Sequence, residues 1–564
     1  MTSTTSDIVS GTATLAEAFQ RAASQWPDNI ALKAEGGRSA SYTYRETARL
    51  VRRLAAGLQT DGYSQLQEIG LLAENRPEWP IAYLAIVSSG KSVVPIDANL
   101  KPNEQAAIIK HADLKLVFAS GRFENFLDSL ERPVEVISLE AGGPFAWQSL
   151  GDGSEEVEPL CTPDTVAALI YTSGTTGAPK AVMLTHRNLL ANLDGVARAL
   201  DFRPSDTMLS VLPLHHTFEA TCGFLMPLTS GLTVVYARSL KSRDILEDIG
   251  FNRVSIMCGV PLLFEKMYQA IQRGIAAAPA HRRLVLRVLM VLSSLGWRFG
   301  RKWGKGLFAS LRKKTGMDSI RMFVSGGAPL PPSISRFFNL VGFDFLQGYG
   351  MTECSPVISV NRPDDIEFGS AGPPLPGLEI RIDNPNAEGI GEILVRGESC
   401  SPGYRNNPEQ TAALIVGGWL HTGDLGHLNN GHVWITGRAK NLIVSAAGKN
   451  IYPEELEEKL IESRFVLEAV VVGRRKDGKQ GEEVRAIIVP DLEQFEAEIG
   501  LSKEAPDIAE VTKQLQAEVA QLNQQVSDYK RISDFDIQFE ELEKTSTKKI
   551  KRFVYLDERK KSSS

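Results

Sequence analysis

Cysteine is scarce in these 564 residues. The five thiols, Cys161, Cys222, Cys258, Cys354 and Cys400, are scattered, odd in number and without metal-like spacing. This argues against a disulfide or zinc scaffold and for a reducing compartment, with the thiols acting as small buried apolar side chains. Long apolar runs are also missing. The most apolar window, LVLRVLMVLSSLGW at 284–297, is too short to span a bilayer and contains Arg287. The opening residues, MTSTTSDIVSGTAT, show no basic region followed by an apolar run, so no secretory leader is read and the expected location is cytoplasmic. There is no global basic excess: 62 Lys and Arg stand against 68 Asp and Glu, a net of −6, which gives no reason to expect nucleic acid. One stretch is basic and carries no acid. From Arg282 to Lys314 there are ten Lys or Arg and no Asp or Glu, leaving 52 against 68, or −16, for the rest.

What is present is an alternation of helix and strand patterns. LAEAFQRAASQW and YRETARLVRRLAAGL have apolar residues at helical spacing, with IALKAE between them strand-like. From 69 to 120 the pattern continues as IGLLAE, WPIAYLAIVSSG, SVVPID, EQAAIIKHA and KLVFAS. Strands without polar alternation, separated by helices, predict a sheet covered on both faces. VAALIYTSG at 166–174 is another such strand. After Gly437 the texture changes to ELEEKLIES, LEAVVVGRR, VRAIIVP and a polar helix near 507–527, which predicts a small α+β domain. The expected fold is α/β, with a large domain over 1–437 and a small one over 438–564. The chain is too long for a single core.

The strand at 166–174 opens into YTSGTTGAPK, which places five hydroxyls and two glycines between Tyr171 and Gly177. Such a loop exposes donors and backbone N–H groups to a polyphosphate, although Gly, Ser and Thr also dominate ordinary turns. It is no Walker A loop, because Ala178 and Pro179 separate Gly177 from Lys180. Two further glycine turns follow apolar strands. FVSGGAPL supplies Gly326, Gly327 and Ala328; LQGYGMTE supplies Tyr349, Gly350, Thr352 and Glu353. Tyr349 offers a plane for a base, and Glu353 a hard oxygen for Mg²⁺. GWLHTGDLG contributes Asp424, able to accept ribose hydroxyls, and Arg438 follows it. Singly, each has a plain structural alternative: a core tyrosine, a surface acid, an Asx turn, a solvated arginine.

Taken together and in this order, YTSGTTGAPK, LPLHHTFE, GGAPL, QGYGMTE, GWLHTGD, GRAKNLI and KTSTKKIKR make the chain resemble the adenylate-forming superfamily from about 14 to 555. That superfamily contains acyl-CoA synthetases, firefly luciferase and peptide-synthetase adenylation domains. LPLHHTFE and KTSTKKIKR look most like long-chain fatty acyl-CoA synthetases. The resemblance implies ATP-dependent activation of a medium- or long-chain fatty acid through acyl-adenylate to acyl-CoA, with ATP and coenzyme A as co-substrates and Mg²⁺ as cofactor. The alternatives are a ligase that stops at acyl-adenylate or loads an acyl carrier protein, and a non-catalytic nucleotide or lipid sensor.

The resemblance also implies residue roles. Thr172, Ser173, Gly174, Thr175, Thr176, Gly177 and Lys180 should hold the β and γ phosphates. Thr352 and Glu353 should orient Mg²⁺. Gly326, Gly327 and Ala328 should approach adenine and the acyl group, with Tyr349, Gly350, Asp424 and Arg438 completing the nucleotide site. His216 should border the carboxylate, and His215 is unassigned. Lys549 is the implied catalytic lysine, aligned through Ile550 and Arg552, with Lys548 the weaker candidate. Here Glu543 and Lys548 stand where the family pattern has proline and glycine, and Ala181 where a glycine commonly follows the loop lysine. Lys440 is the implied hinge. Gly448 in SAAGKN should face pantetheine, and Arg474, Arg475 and Lys476 coenzyme A phosphates, although a solvated hairpin would carry the same run.

The basic stretch supports a further expectation. Phe299, Trp303, Leu307 and Leu311 recur at helical spacing, with Arg298, Arg301, Lys302, Lys305 and Arg312 opposite. That pattern suits a helix lying on an anionic membrane surface through 282–314. A core-packed helix with a solvated face has the same stripe, and Gly300, Gly304 and Gly306 weaken a helix there.

Overall fold

The structure, a computed structural model, describes residues 9–34, 40–60, 62–140, 147–150, 157, 160–173, 179–475, 481–545 and 550–556. The chain divides into two compact units. Met1–Gly327, Pro332–Ile380 and Val395–His421 form the first; Ala328–Pro331, Arg381–Leu394 and Thr422–Ser564 form the second.

The first unit holds two large sheets. One has six strands in the order Glu135–Ser138, Leu116–Ala119, Glu68–Leu72, Ser92–Pro95, Val166–Ser173, Pro179–Thr185. Its strands pair in parallel except at the last hairpin. The other has eight strands, parallel inside and antiparallel at both edges, where Ala40–Thr43 pairs with Ile30–Ala34 and Val357–Val360 pairs with Asp344–Gly350. Covered strands need no polar alternation, which is why Leu116–Ala119, Ser92–Pro95 and Met322–Ser325 are buried at every position.

Helices follow the periods read from the sequence. Tyr44–Leu58 starts at a capping box, with Thr43 accepting from Glu46 N and the Glu46 side chain accepting from Thr43 N. Such a cap contributes about 1 kcal/mol. WPIAYLAIVSSG lacks an amphipathic stripe because the helix Glu78–Ser88 is buried all round. Trp79 and Tyr83 from this helix pack on Phe224.

The second unit contains the small α+β module. Helix Pro453–Ile461 and strands Val466–Arg474 and Glu483–Pro490 lie where the texture change placed them, with a long helix at Ile508–Gln525. A third strand, Asp534–Ile537, adds in parallel to Glu483–Pro490. Its alternate residues are only half-buried, so no apolar run announced it.

The basic stretch is not one helix, and the wheel drawn through 298–312 does not hold. Helix Ala280–Arg298 ends before Gly300, which has a left-handed φ of 67°, and short helices follow at Gly304–Leu307 and Ala309–Lys314. Gly304 lies against Leu340 O, where a Cβ would approach to 2.2 Å. Arg312 is buried: its guanidinium donates to Gly342 O and Ile320 O and stacks 4.3 Å from the Phe343 ring centre. Lys302 pairs with Asp344. These cations serve the fold. No helix among the described residues is long and apolar enough to cross a membrane.

Candidate active site

Of the residues expected to hold phosphates, Thr172, Ser173 and Lys180 are carried by a hairpin. Val166–Ser173 pairs antiparallel with Pro179–Thr185, setting Thr172 opposite Lys180 and Tyr171 opposite Ala181. The backbone of Ser173 pairs with that of Pro179. Gly174, Thr175, Thr176 and Gly177 lie outside the described residues. Lys180 Nζ stands 5.6 Å from the centre of the Tyr404 ring.

Across the first unit, the turn bearing Thr352 and Glu353 meets the segment bearing His216. Thr352 Oγ1 and Thr217 Oγ1 are 2.9 Å apart. Glu353 is buried, and its Oε1 accepts from Tyr404 OH at 2.8 Å while its carbonyl accepts from Ser401 N at 2.8 Å. Asn192, from the helix His186–Ala199, donates to Cys354 O and Val357 O and so fixes the far side of this turn. Burial, and then Glu353, hold the Tyr404 phenol far above its ordinary value, so it remains a donor. Among the described residues, no group of three or more His, Cys, Asp or Glu is gathered to hold a metal. Glu353 and the Thr352 hydroxyl are hard oxygen donors that suit a Mg²⁺ shared with phosphates.

His216 Nδ1 accepts from Phe218 N at 3.3 Å. The neighbouring His215 is taken up differently: its Nε2 lies 3.4 Å from Asp97 Oδ2, and burial lowers its proton affinity against the opposing pull of Asp97. Phe218 in turn packs on Gly326, where a Cβ would come within 3.1 Å of its ring. Gly327 has a left-handed φ of 91°. Gly350 leaves room for the Pro356 carbonyl, 2.0 Å from an added Cβ, and Tyr349 is half-buried in its strand opposite Ser359. Gly326 and Gly350 therefore have packing reasons within the first unit and Gly327 a backbone one; Ala328 belongs to the 328–331 segment of the second.

In the second unit Asp424 and Arg438 face each other across antiparallel strands and form an ion pair, Nε to Oδ1 2.9 Å, with the carboxylate buried and the guanidinium outward. Thr422 Oγ1 accepts from Asp424 N at 3.0 Å. Lys440 is exposed in a short turn, Ala439–Asn441, anchored by Asn441 donating to Glu454 Oε1 at 2.7 Å. Gly448, at φ 69°, closes the turn from Ser445 with open space where a Cβ would point. Arg474 is exposed at the end of its strand; Arg475 lies 3.7 Å from Glu482. Lys476, Lys548 and Lys549 lie outside the described residues. The stems around the last two are held firmly. Lys544 bridges to Ile550 in the backbone and pairs with Glu468, and Arg552 pairs with Glu457 in the interior. Removing one partner of such a buried pair costs about 3–5 kcal/mol.

Sequence reasoning missed Tyr404, Thr217 and Asn192. Tyr404 is 51 residues from Glu353, and no spacing rule links them. The cysteines are also less scattered in space than in sequence: Cys354 and Cys400 have their sulfurs 4.0 Å apart, and their contact lowers the proton affinity of Cys400 while raising that of Cys354.

Comparison with known proteins shows the family and the fold. A family model described as AMP-binding enzyme matches residues 19–405, and one described as AMP-binding enzyme C-terminal domain matches 455–549. The chain is 31% identical over 469 residues to "Long chain acyl-CoA synthetase 7, peroxisomal" of Arabidopsis thaliana, covering 76% of this chain and 66% of that protein. It is 30% identical over 559 residues to "Long-chain-fatty-acid--CoA ligase FadD15" of Mycobacterium bovis, covering 91% and 90%. Among solved structures, ATP-bound MatB from Rhodopseudomonas palustris superposes with a TM-score of 0.77 at 24% identity, over 97% of this chain and 99% of that one, which supports the fold. The chain thus belongs to the AMP-binding enzyme family of adenylate-forming ligases.

Proposed function

We propose that the protein activates a medium- or long-chain fatty acid with ATP and transfers the acyl group to coenzyme A. In the first half-reaction a carboxylate oxygen attacks the α-phosphorus, the bond to the bridging oxygen of pyrophosphate breaks, and acyl-adenylate forms. In the second, a thiolate attacks the acyl carbon and AMP leaves. Such phosphoryl chemistry is met by positioning and charge neutralisation more than by covalent help.

In this reading the 172–180 hairpin holds the β and γ phosphates, with Lys180 as the fixed cation. Thr352 and Glu353 would hold Mg²⁺, which when bound offsets charge on the triphosphate. His216 borders the carboxylate, and Asp424 receives the ribose hydroxyls with Arg438 beside it. Lys549 meets the charge that builds between carboxylate and α-phosphate. A division of labour between residues 1–437 and 438–564, with the hinge at Lys440, lets Gly448, Arg474 and Arg475 serve the thioester step. The observation that carries the reading is the meeting of the His216 segment, Glu353 and Lys180 through Thr217–Thr352 and Tyr404. The fatty-acid class is supported by the names of the two relatives.

The test is ATP–pyrophosphate exchange over acids from acetate to oleate, then AMP release with coenzyme A or a phosphopantetheinylated carrier protein. Exchange rising with chain length, and AMP release dependent on coenzyme A, is the expected result. Exchange with no acid refutes the reading, and AMP release only with carrier protein changes the acceptor.

Peripheral attachment to an anionic membrane is part of the same proposal. Its support is helix Ala280–Arg298, which exposes Leu284, Val285, Val288, Val291, Leu292 and Leu295. At 100° per residue they span one arc of about 120°, while Ser293 and Gly296 face inward, so this apolar face is not the one used for packing. Arg282, Arg283, Arg287 and Arg298 flank it without an acid. Co-sedimentation with anionic vesicles at low salt, lost when Val288 and Leu295 become Glu, is expected; undiminished sedimentation of the folded variant refutes it.

A further inference from the structure

Two groups of the proposed site meet on a side chain that belongs to none of the glycine-rich turns. Tyr404 OH donates to Glu353 Oε1 at 2.8 Å, and the same ring lies 5.6 Å from Lys180 Nζ. The ring is positioned by backbone, not by chance packing. Arg405 N donates to Ala181 O, Met183 N donates to Gly403 O, and Val182 bridges Tyr404, which sews residues 403–405 to the strand carrying Lys180. Ser401 adds a second seam, donating its N–H to Glu353 O and its hydroxyl to Met183 O at 2.6 Å. Thr411 Oγ1 receives Tyr404 N at 3.0 Å from the other side.

We propose that Tyr404 is a positioning residue that locks the loop lysine and the metal-orienting carboxylate into one register, so that the triphosphate and its cation are met together. The inference rests on the proposed ATP-dependent reading. A phenol donating to one carboxylate oxygen restricts Glu353 to one rotamer while leaving lone pairs for a hard cation. The face of the ring attracts the ammonium and keeps a long, flexible lysine over the hairpin. The two interactions are separable, because the hydroxyl bonds Glu353 while the ring lies beneath Lys180.

Two substitutions separate them. Tyr404→Phe keeps the ring and should raise the half-saturating Mg²⁺ concentration about tenfold, the size of a lost hydrogen bond to a charged group, with kcat largely recovered at saturating Mg²⁺. Tyr404→Leu removes the ring as well and should in addition raise the KM for ATP about fivefold. Calorimetric titration supplies a readout independent of turnover. Tyr404→Phe should bind metal-free ATP as the wild type does and MgATP more weakly, whereas Tyr404→Leu should bind both more weakly. Unchanged Mg²⁺ dependence in Tyr404→Phe overturns the inference, and so does equal weakening of ATP and MgATP in that variant. If Tyr404→Phe is poorly folded, the contrast between metal-free and metal-bound ATP is read on its folded fraction and decides in the same way. Absence of acid-dependent pyrophosphate exchange in the wild type would refute the proposed function instead, while the calorimetric contrast would still judge Tyr404.

Discussion

His186 follows the strand Pro179–Thr185 and opens a helix, and its environment makes a quantitative claim. The ring is fully buried at the start of His186–Ala199, and its Nδ1 accepts from Leu15 N at 3.1 Å, tying the helix Leu15–Gln25 to this one. An accepting Nδ1 requires the neutral imidazole, and burial pushes its pKa down to about 4. In the unfolded chain the same group protonates near about 6.5. The unfolded state therefore binds a proton between pH about 6.5 and about 4 that the native state refuses. Stability from this group is full above about pH 6.5 and is lost as pH falls toward 4, amounting to about 3 kcal/mol for a shift of this size. His186→Asn does not titrate, and its amide oxygen can still accept from Leu15 N. Because a chain with two units need not unfold in one step, the readout should be local. Hydrogen exchange of residues 15–25, corrected for intrinsic rates, gives the opening free energy at pH 7.5, 6, 5 and 4. The wild type should lose about 3 kcal/mol more than His186→Asn across that range. Parallel profiles in the two proteins would refute the reasoning, and a wild type that gains stability on acidification would reverse its sign.

Further outcomes follow from the proposed roles. Glu353→Gln keeps an acceptor for Tyr404 and removes the charge, so adenylation should fall about a hundredfold, be partly restored by excess Mg²⁺ and leave the melting temperature unchanged; a changed melting temperature with unchanged Mg²⁺ dependence would mark a structural role. Lys549→Ala should abolish adenylate formation but still convert synthetic acyl-adenylate and coenzyme A to thioester, with equal loss of both half-reactions counting against the assignment and full adenylation moving the role to Lys548. Lys440→Pro, with φ fixed near about −65°, should spare one half-reaction and impair the other, and undiminished activity in both would place the hinge elsewhere. Glu458 has its pKa pushed up to about 7 by burial and by Glu462 and Glu455. An acid raised in the folded state stabilises least once ionised, so stability falls as pH rises from about 4.5 to about 7, and Glu458→Gln should raise the melting temperature at pH 8 more than at pH 5. Equal effects at both values would discount the shift.

Local order in this protein is written in local pattern. Leu15–Gln25, Tyr44–Leu58 and Pro102–His111 lie where apolar spacing of period 3.6 lies, and Leu116–Ala119 and Val466–Arg474 where unbroken apolar runs lie, because each period matches one backbone geometry whatever surrounds it. Motif order alone identified the family, since each glycine turn keeps its residues together within a few positions. Where sequence reasoning failed, the deciding partner was distant. The wheel through 298–312 assumed continuity that Gly300 breaks, and it gave Arg312 to solvent although Gly342 O and Ile320 O claim it from the interior. Asp534–Ile537 becomes a strand only because Glu483–Pro490 offers it a parallel edge. Tyr404 reaches Glu353, Thr217 reaches Thr352, and Cys354 meets Cys400 only after two sheets and the connection 398–405 have folded. Sequence thus determined the elements, the covered sheets and the family. Tertiary structure alone decided which residues touch, because contacts across tens to hundreds of positions depend on packing that no local period encodes.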